Sequence, residues 1–196
     1  MTHPESIQKL IESFAKLPTI GRKSAERFVF WLLKQPQAEL DNFANNLQNV
    51  KKDIQSCDNC GNISNTNPCP ICADEKRDRA LLCVVSTTRD LILIENTRKF
   101  NGRYHVLGGN IDTAKDVTPE KLNLQNLIKR AQAVKYAEII LALSPTFEGE
   151  ATAMYISNLL KNYNIKITKL ARGLPSGADI EYADELTLTN AIQNRR

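Results

Sequence analysis

The chain has 196 residues, of which 42% are hydrophobic and 24% are charged, and its formal net charge is +4. This composition is ordinary for a globular protein, and its mild positive charge permits contact with nucleic acid without requiring it. No apolar run approaches the roughly 20 residues of a membrane helix, and none follows a basic start as in a secretory signal. We therefore expect a cytoplasmic protein without a membrane segment.

Helices are predicted for the first part of the chain, because apolar residues recur there at the spacing of one helix face. The first helix covers residues 7–14, the second begins near Arg22, and the third covers residues 36–54. The residues predicted to face inward from the second helix are Ala25, Phe28, Val29, Leu32 and Leu33. The apolar stripe of the third helix consists of Leu40, Phe43, Leu47, Val50 and Ile54.

Four cysteines follow in two closely spaced pairs. Two residues separate Cys57 from Cys60, eight more precede Cys69, and two separate Cys69 from Cys72. Four thiolates at this spacing are typical of one tetrahedral Zn²⁺ with no open coordination position, which makes the site structural. The alternative is four unrelated thiols. A fifth cysteine, Cys83, lies in an apolar run and is predicted to be a small buried side chain.

An α/β region is predicted after the cysteines. Short apolar runs at residues 80–85, 103–107, 138–143 and 165–170 indicate strands. Residues 122–134 and 150–163 show the periodicity of helices. Alternation of strands with helices predicts a parallel sheet covered on both faces.

The break between the first two helices carries positive charge. Leu17-Pro-Thr-Ile-Gly21 is followed at once by Arg22, Lys23 and Arg27. A helix N-terminus favours an anion, and Lys23 and Arg27 share one helix face, so this segment fits a helix-hairpin-helix that binds DNA phosphates. An ordinary corner between two helices with solvated cations is the alternative.

Two acidic residues follow the strand at residues 138–143. Glu148 and Glu150 open the next helix, at the end of a parallel strand where ligands gather. They could bind Mg²⁺ through oxygen, or they could simply complement the positive end of the helix dipole. No nucleotide-binding Gly-x-x-x-x-Gly-Lys loop is present, so ATP hydrolysis is not supported.

These motifs, taken in order, resemble the bacterial recombination mediator family RecR along essentially the whole chain. The matching segments are residues 17–27, the cysteine quartet, and residues 83–85, 102–109, 145–152, 171–175 and 181–185.

The resemblance implies a multi-domain α/β protein in four parts. They are a helix-hairpin-helix region at residues 1–55, a zinc finger with four cysteine ligands at 56–78, a parallel-sheet Toprim domain at 79–172 and a tail at 173–196. It implies that Cys57, Cys60, Cys69 and Cys72 hold one structural zinc ion.

The resemblance also implies a function in DNA repair by recombination, without enzymatic activity. Arg22, Lys23 and Arg27 would contact single- or double-stranded DNA independently of sequence. Glu148 and Glu150 would engage the partner RecO. The chain would form a homo-oligomer, a dimer or tetramer ring, and would help RecO and RecF load RecA onto single-stranded DNA.

The chain departs from the family pattern in four places, namely Thr19, Ser86, residues 110–121 and Ala178, and the first two bear on function. Thr19 replaces a glycine in the hairpin, and because a β-branched residue rarely adopts a positive φ, we expect the turn to lose the family geometry. Ser86 replaces the glutamate that Toprim enzymes use in acid–base chemistry, which argues against the alternative function, a Mg²⁺-dependent nuclease or nicking enzyme.

Overall fold

The structure, a computed structural model, describes residues 3–195. The chain divides into two compact units, Met1–Asp53 and Ile54–Arg196.

The first unit contains three helices: α1 (Glu5–Ala15), α2 (Arg22–Leu32) and α3 (Gln37–Asn49). Helices α1 and α2 pack against each other around a small core formed by Ile11, Ala25 and Val29. Partly buried apolar side chains, among them Phe14 and Ile20, extend this core. The three predicted helices are therefore present.

The predicted burial in this unit is wrong in several places. Phe28 is 44% exposed and Leu33 is 55% exposed, although both were expected to face inward. Helix α3 ends at Asn49, five residues earlier than expected, and no residue of Gln37–Asn49 is buried. The reason is that the core between α1 and α2 covers only one side of each helix, while the apolar stripe of α3 lines an open groove with Phe14 and Trp31.

The second unit opens with the cysteine segment. Strands β1 (Gln55–Ser56) and β2 (Ile63–Ser64) pair antiparallel, and the four-residue helix α4 (Pro70–Ala73) follows. With so little regular structure and so few apolar residues, this segment needs another source of stability.

A four-stranded sheet forms the centre of the second unit. Its strands are β3 (Asp78–Val85), β4 (Gly102–Val106), β5 (Glu138–Ala142) and β6 (Lys166–Lys169). They lie in the order β4-β3-β5-β6, and every neighbouring pair is parallel. The predicted parallel sheet is therefore confirmed.

Four longer helices accompany the sheet: α5 (Thr88–Asn96), α6 (Leu124–Ala133), α7 (Phe147–Leu159) and α8 (Glu185–Gln193). Helices α5 and α8 were not predicted. Helix α7 begins three residues before the predicted start, so Glu148 and Glu150 both lie in its first turn.

Alternate residues of β3 enter two separate cores. Leu82 and Val84 pack with apolar residues of α6 and α7 on one face of the sheet. Cys83 and Val85 pack with Leu91 of α5 on the other face. This alternation is the period of two that a strand requires when both faces of its sheet are covered.

Candidate zinc centre and nucleic-acid interface

The four sequence-predicted cysteines come together. The sulfur atoms of Cys57, Cys60, Cys69 and Cys72 all lie within 4.8 Å of one another, and all four residues are buried. Sulfur atoms around one tetrahedral Zn²⁺, at about 2.3 Å from the metal, must lie about 4 Å apart. The donor set and its spacing therefore fit a single zinc ion.

The backbone folds tightly around the first cysteine pair. The Gly61 N–H donates to the Cys57 carbonyl over 2.7 Å, and the Cys57 N–H donates to the Asn62 carbonyl over 2.8 Å. The Cys69 N–H points at the Cys57 sulfur, 3.3 Å away. This contact ties the second cysteine pair to the first.

The pKa values of two of the four thiols, Cys60 and Cys72, are shifted in opposite directions. Hydrogen bonding to Cys72, together with burial, raises the pKa of Cys60 far above its usual range. The same hydrogen bond lowers the pKa of Cys72 to about 6. Four thiolates this close repel one another strongly, so a divalent cation is required before all four can lose their protons.

Cys83 takes no part in this cluster. It lies in the middle of β3, and burial raises the pKa of its thiol to about 12. The prediction that it is a small buried side chain agrees with this position.

The three predicted DNA contacts lie together on α2. This helix begins at Arg22 after Gly21, and no side chain within residues 3–195 caps its N-terminus. Arg22, Lys23 and Arg27 are all exposed. In the part of the chain that the structure describes, none of the three forms an ion pair.

The turn before α2 keeps a left-handed residue. Thr19 has a φ of +67°, and the Ile20 N–H donates to the Leu17 carbonyl over 3.2 Å. Thr19 therefore adopts a left-handed conformation that a β-branched residue rarely takes. A β-branched residue in this region is strained by about 1–3 kcal/mol.

The two acidic residues of α7 have different surroundings. The Glu150 carboxylate pairs with Arg172 and, over 2.9 Å, with Lys169. The contact with Lys169 is the main cause that lowers the pKa of Glu150. Glu148 belongs to the same first turn, where a carboxylate complements the helix dipole.

Ser86 lies at the carboxyl end of β3 and is nearly buried, with 6% exposure. Its hydroxyl donates to the Asn110 side-chain carbonyl over 2.6 Å. This neutral pair lies directly beyond the strand that would carry the acid–base glutamate of a Toprim enzyme, and it offers no carboxylate.

Family comparisons cover nearly the whole chain. Residues 7–51 match the RecR helix-hairpin-helix, and residues 54–74 match the four-cysteine zinc finger domain of RecR. Residues 80–171 match the Toprim domain, and residues 173–196 match the RecR C-terminal region. The Bifidobacterium longum strain DJO10A protein named "Recombination protein RecR" is 45% identical over 196 residues, which are 100% of this chain and 98% of the relative.

The chain belongs to the RecR family. The Bifidobacterium adolescentis protein of the same name is 46% identical over the same coverage. The predicted family resemblance is thus confirmed, as is the structural zinc ion, which Cys57, Cys60, Cys69 and Cys72 hold in the family's zinc finger domain. The relatives carry the name of a recombination protein and not of an enzyme, in agreement with the predicted non-enzymatic role.

No helix within residues 3–195 has the length and apolar character needed to cross a membrane.

Sequence reasoning missed the contacts that join the zinc finger to the α/β part of the RecR fold. The Ile63 N–H donates to the Thr88 hydroxyl of α5, and Ile71 of α4 packs into the core beneath that helix. One signal was available, since Thr87 and Asp90 form a capping box that marks the start of α5.

Proposed function

We propose that this chain is a DNA-binding recombination mediator in DNA repair. It forms a ring-like clamp of several copies in the cytoplasm, and it helps RecO and RecF load RecA onto single-stranded DNA. The observation that carries the proposal is the exposed basic N-terminus of α2, which lies inside the segment matched by the RecR helix-hairpin-helix.

Electrostatics of α2 support a phosphate ligand. The first N–H groups of any helix lack partners within the helix, and among the residues that the structure describes no side chain caps those of α2. Arg22 and Lys23 place two further positive charges at this end, where the helix dipole is already positive. A bound anion offsets this unfavourable arrangement, and a DNA phosphate provides it together with the free N–H groups.

The proposed contacts are independent of base sequence. Arg27 lies one turn after Lys23 on the same helix face, so both cations can reach neighbouring phosphates. Contacts to phosphate position a protein on DNA without reading bases. Such binding suits a mediator that must act wherever a single strand is exposed.

Apolar surface supports assembly into a homo-oligomer. A groove of about 490 Å³ runs between the helices of the first unit, and its lining includes Phe14, Trp31 and Phe43. Trp31 is 60% exposed and Leu47 of α3 is 67% exposed. An apolar surface of this kind is typical of a protein–protein interface, and a second copy of the same surface is the proposed partner.

The tail offers a second apolar surface in the other unit. Its large exposed hydrophobic side chains are Ile180, Tyr182, Leu186 and Ile192. Two distinct interfaces on one chain allow a closed ring of more than two copies, because each copy can then contact two neighbours. A dimer results if only one of the two interfaces forms.

Helix α7 is the proposed surface for RecO. Phe147 is 86% exposed beside Glu148 at the start of this helix. Because Lys169 and Arg172 already occupy the Glu150 carboxylate, Glu148 is the acidic group that a basic partner reaches first. Glu150 instead holds in place the segment that contains Lys169 and Arg172.

Salt titration of DNA binding tests this proposal. Replacement of Lys23 and Arg27 by alanine should weaken binding and flatten the dependence of log K on log salt by about 1.4 for single strands, since each lost phosphate contact removes about 0.7. The matched control replaces Lys51 and Lys52, two exposed lysines after α3, by alanine. An equal slope and affinity in both double variants would contradict the proposal.

A further inference from the structure

Helix α6 presents two different faces. Leu124, Leu127 and Ala131 are buried in the core against the sheet. Asn126 and Arg130, which are four residues apart and therefore share a face, instead contact the zinc finger and the strand beside it. This polar face has no part in the proposed DNA or partner contacts.

Asn126 holds the first cysteine pair from outside. Its side-chain amide donates to the carbonyl of Asp58 over 2.9 Å and to the carbonyl of Asn59 over 3.4 Å. These are the two residues between Cys57 and Cys60. The contact therefore restrains the loop that aims both sulfur atoms at the metal.

Arg130 lies where β4 meets the zinc finger. Its Nη1 donates to the Tyr104 carbonyl over 2.7 Å and lies 3.3 Å from His105 Nδ1. The next residue of the strand, Val106, donates its N–H to the Cys60 carbonyl over 2.7 Å. The guanidinium is thus fixed beside β4, the strand that is hydrogen-bonded to the zinc finger.

The bonds of Arg130 and Val106 place a positive charge at the edge of the finger. Arg130 is bonded to the Tyr104 carbonyl, two residues before the Val106 N–H that holds the Cys60 carbonyl.

The finger approaches the α/β part so closely that only glycine fits at one position. Gly61 has a φ of +76°, and a Cβ built there would lie 2.6 Å from Asn123 Nδ2 and 2.7 Å from the Val106 carbonyl oxygen. The cysteine segment is therefore docked on the sheet edge and is not a free module.

A zinc ion with four thiolates carries a net charge of −2, and burial of such a charge is costly unless a counter-charge and hydrogen bonds accompany it. We propose that Asn126 and Arg130 form the outer shell of this zinc site, in which Asn126 fixes the first cysteine pair and Arg130 offsets the charge of the zinc tetrathiolate. Zinc retention then depends on α6, which lies far along the chain from the last ligand.

The rate of zinc release to an excess of a chromogenic chelator tests this role, with purified full-length protein that holds one zinc. Arg130→Met should release zinc at least about tenfold faster than the wild type, as is usual for loss of an outer-shell partner. Arg130→Lys retains the charge and should release zinc more slowly than Arg130→Met. The control is Lys129→Met on the exposed side of the same helix, and it should match the wild type.

If Arg130→Met releases zinc at the same rate as Lys129→Met, Arg130 has no role in zinc retention. If Arg130→Met and Arg130→Lys release zinc at equal rates, the charge of Arg130 is not the cause of its effect. If Arg130→Met does not fold, Arg130→Gln replaces it with the same expectation, because glutamine keeps a donor for the Tyr104 carbonyl without the charge.

Asn126 has its own matched pair. Asn126→Ala should release zinc severalfold faster than Gln125→Ala, which alters an exposed neighbour. Equal rates in these two variants would remove Asn126 from the shell. Circular dichroism of the zinc-loaded variants before the chelator is added shows that each comparison starts from folded protein.

Discussion

The Nε2 atom of His105 lies 2.8 Å from the Asn123 carbonyl oxygen and donates to it. The other ring nitrogen faces Arg130, which can only donate, so the imidazole is held neutral with its proton on Nε2. His105 is fully buried, and burial together with the Arg130 cation lowers its pKa to about 4. A strand residue next to the zinc finger is therefore sensitive to acid.

The first prediction concerns pH. Between pH 6.5 and pH 4, His105 is protonated in the unfolded chain but not in the folded one, so stability falls as the pH falls through this window. From pH 7.5 to 5.5 the loss from this one group is about 1 kcal/mol. Urea unfolding of wild type and His105→Gln, with excess zinc, should show a smaller pH effect in the variant.

Its control is His3→Gln, which alters an exposed histidine of the first unit that pairs with Glu26 of α2. A pH effect of equal size in the wild type, His105→Gln and His3→Gln would show that His105 does not titrate between the folded and unfolded states.

The second prediction concerns the strained turn. Thr19→Gly should raise the free energy of unfolding of the first unit by about 1 kcal/mol, because glycine adopts a φ of +67° without steric cost. Thr19→Asn should lie between threonine and glycine. Fluorescence of Trp31, the single tryptophan, reports on this unit during denaturation of the full chain. A midpoint for Thr19→Gly at or below that of the wild type would contradict the strain.

The third prediction concerns the metal. Purified protein should contain one zinc per chain, and Cys60→Ser should lose most of it, because three thiolates remain around the ion. Cys83→Ala removes a thiol outside the cluster and should keep the full complement. Elemental analysis of both variants, after dialysis against a weak chelator, decides the ligand set. Full zinc in Cys60→Ser would exclude it.

The fourth prediction concerns assembly. Leu47→Glu places a charge on the exposed apolar stripe of α3 and should dissociate the proposed oligomer, since burial of an unpaired carboxylate in an interface is costly. Asn45→Glu adds the same charge at an exposed polar position of that helix. Size-exclusion chromatography with light scattering gives both masses. The same mass for both variants would argue against this face as an interface.

Much of the fold was predictable because buried strands and amphipathic helices leave local patterns. Residues 80–85 and 138–143 are apolar runs that became β3 and β5. The zinc ligands were predictable because their spacing alone fits one ion. Helix α5 was missed because Leu91 to Ile94 is an unbroken apolar run, which masks the helical period despite the Thr87–Asp90 capping box.

Long-range features could not be predicted. The sequence shows that Phe28 is apolar but not how much of it the folded chain covers, and 44% of it is exposed. The Asn126 side chain is hydrogen-bonded to the Asp58 carbonyl although the two residues are 68 positions apart in the sequence. They come together because the parallel sheet places α6 next to the zinc finger. The left-handed conformation of Thr19 was also not predictable, because a β-branched residue rarely adopts a positive φ.

The most direct test of the mediator role is the rate at which RecA filaments form on single-stranded DNA coated with single-strand-binding protein. With RecO present, the wild-type chain should accelerate filament formation, while the Lys23→Ala, Arg27→Ala double variant should not. The Lys51→Ala, Lys52→Ala control should act like the wild type. No acceleration by the wild-type chain, or equal acceleration by the Lys23 and Arg27 variant, would contradict a DNA clamp that loads RecA through α2.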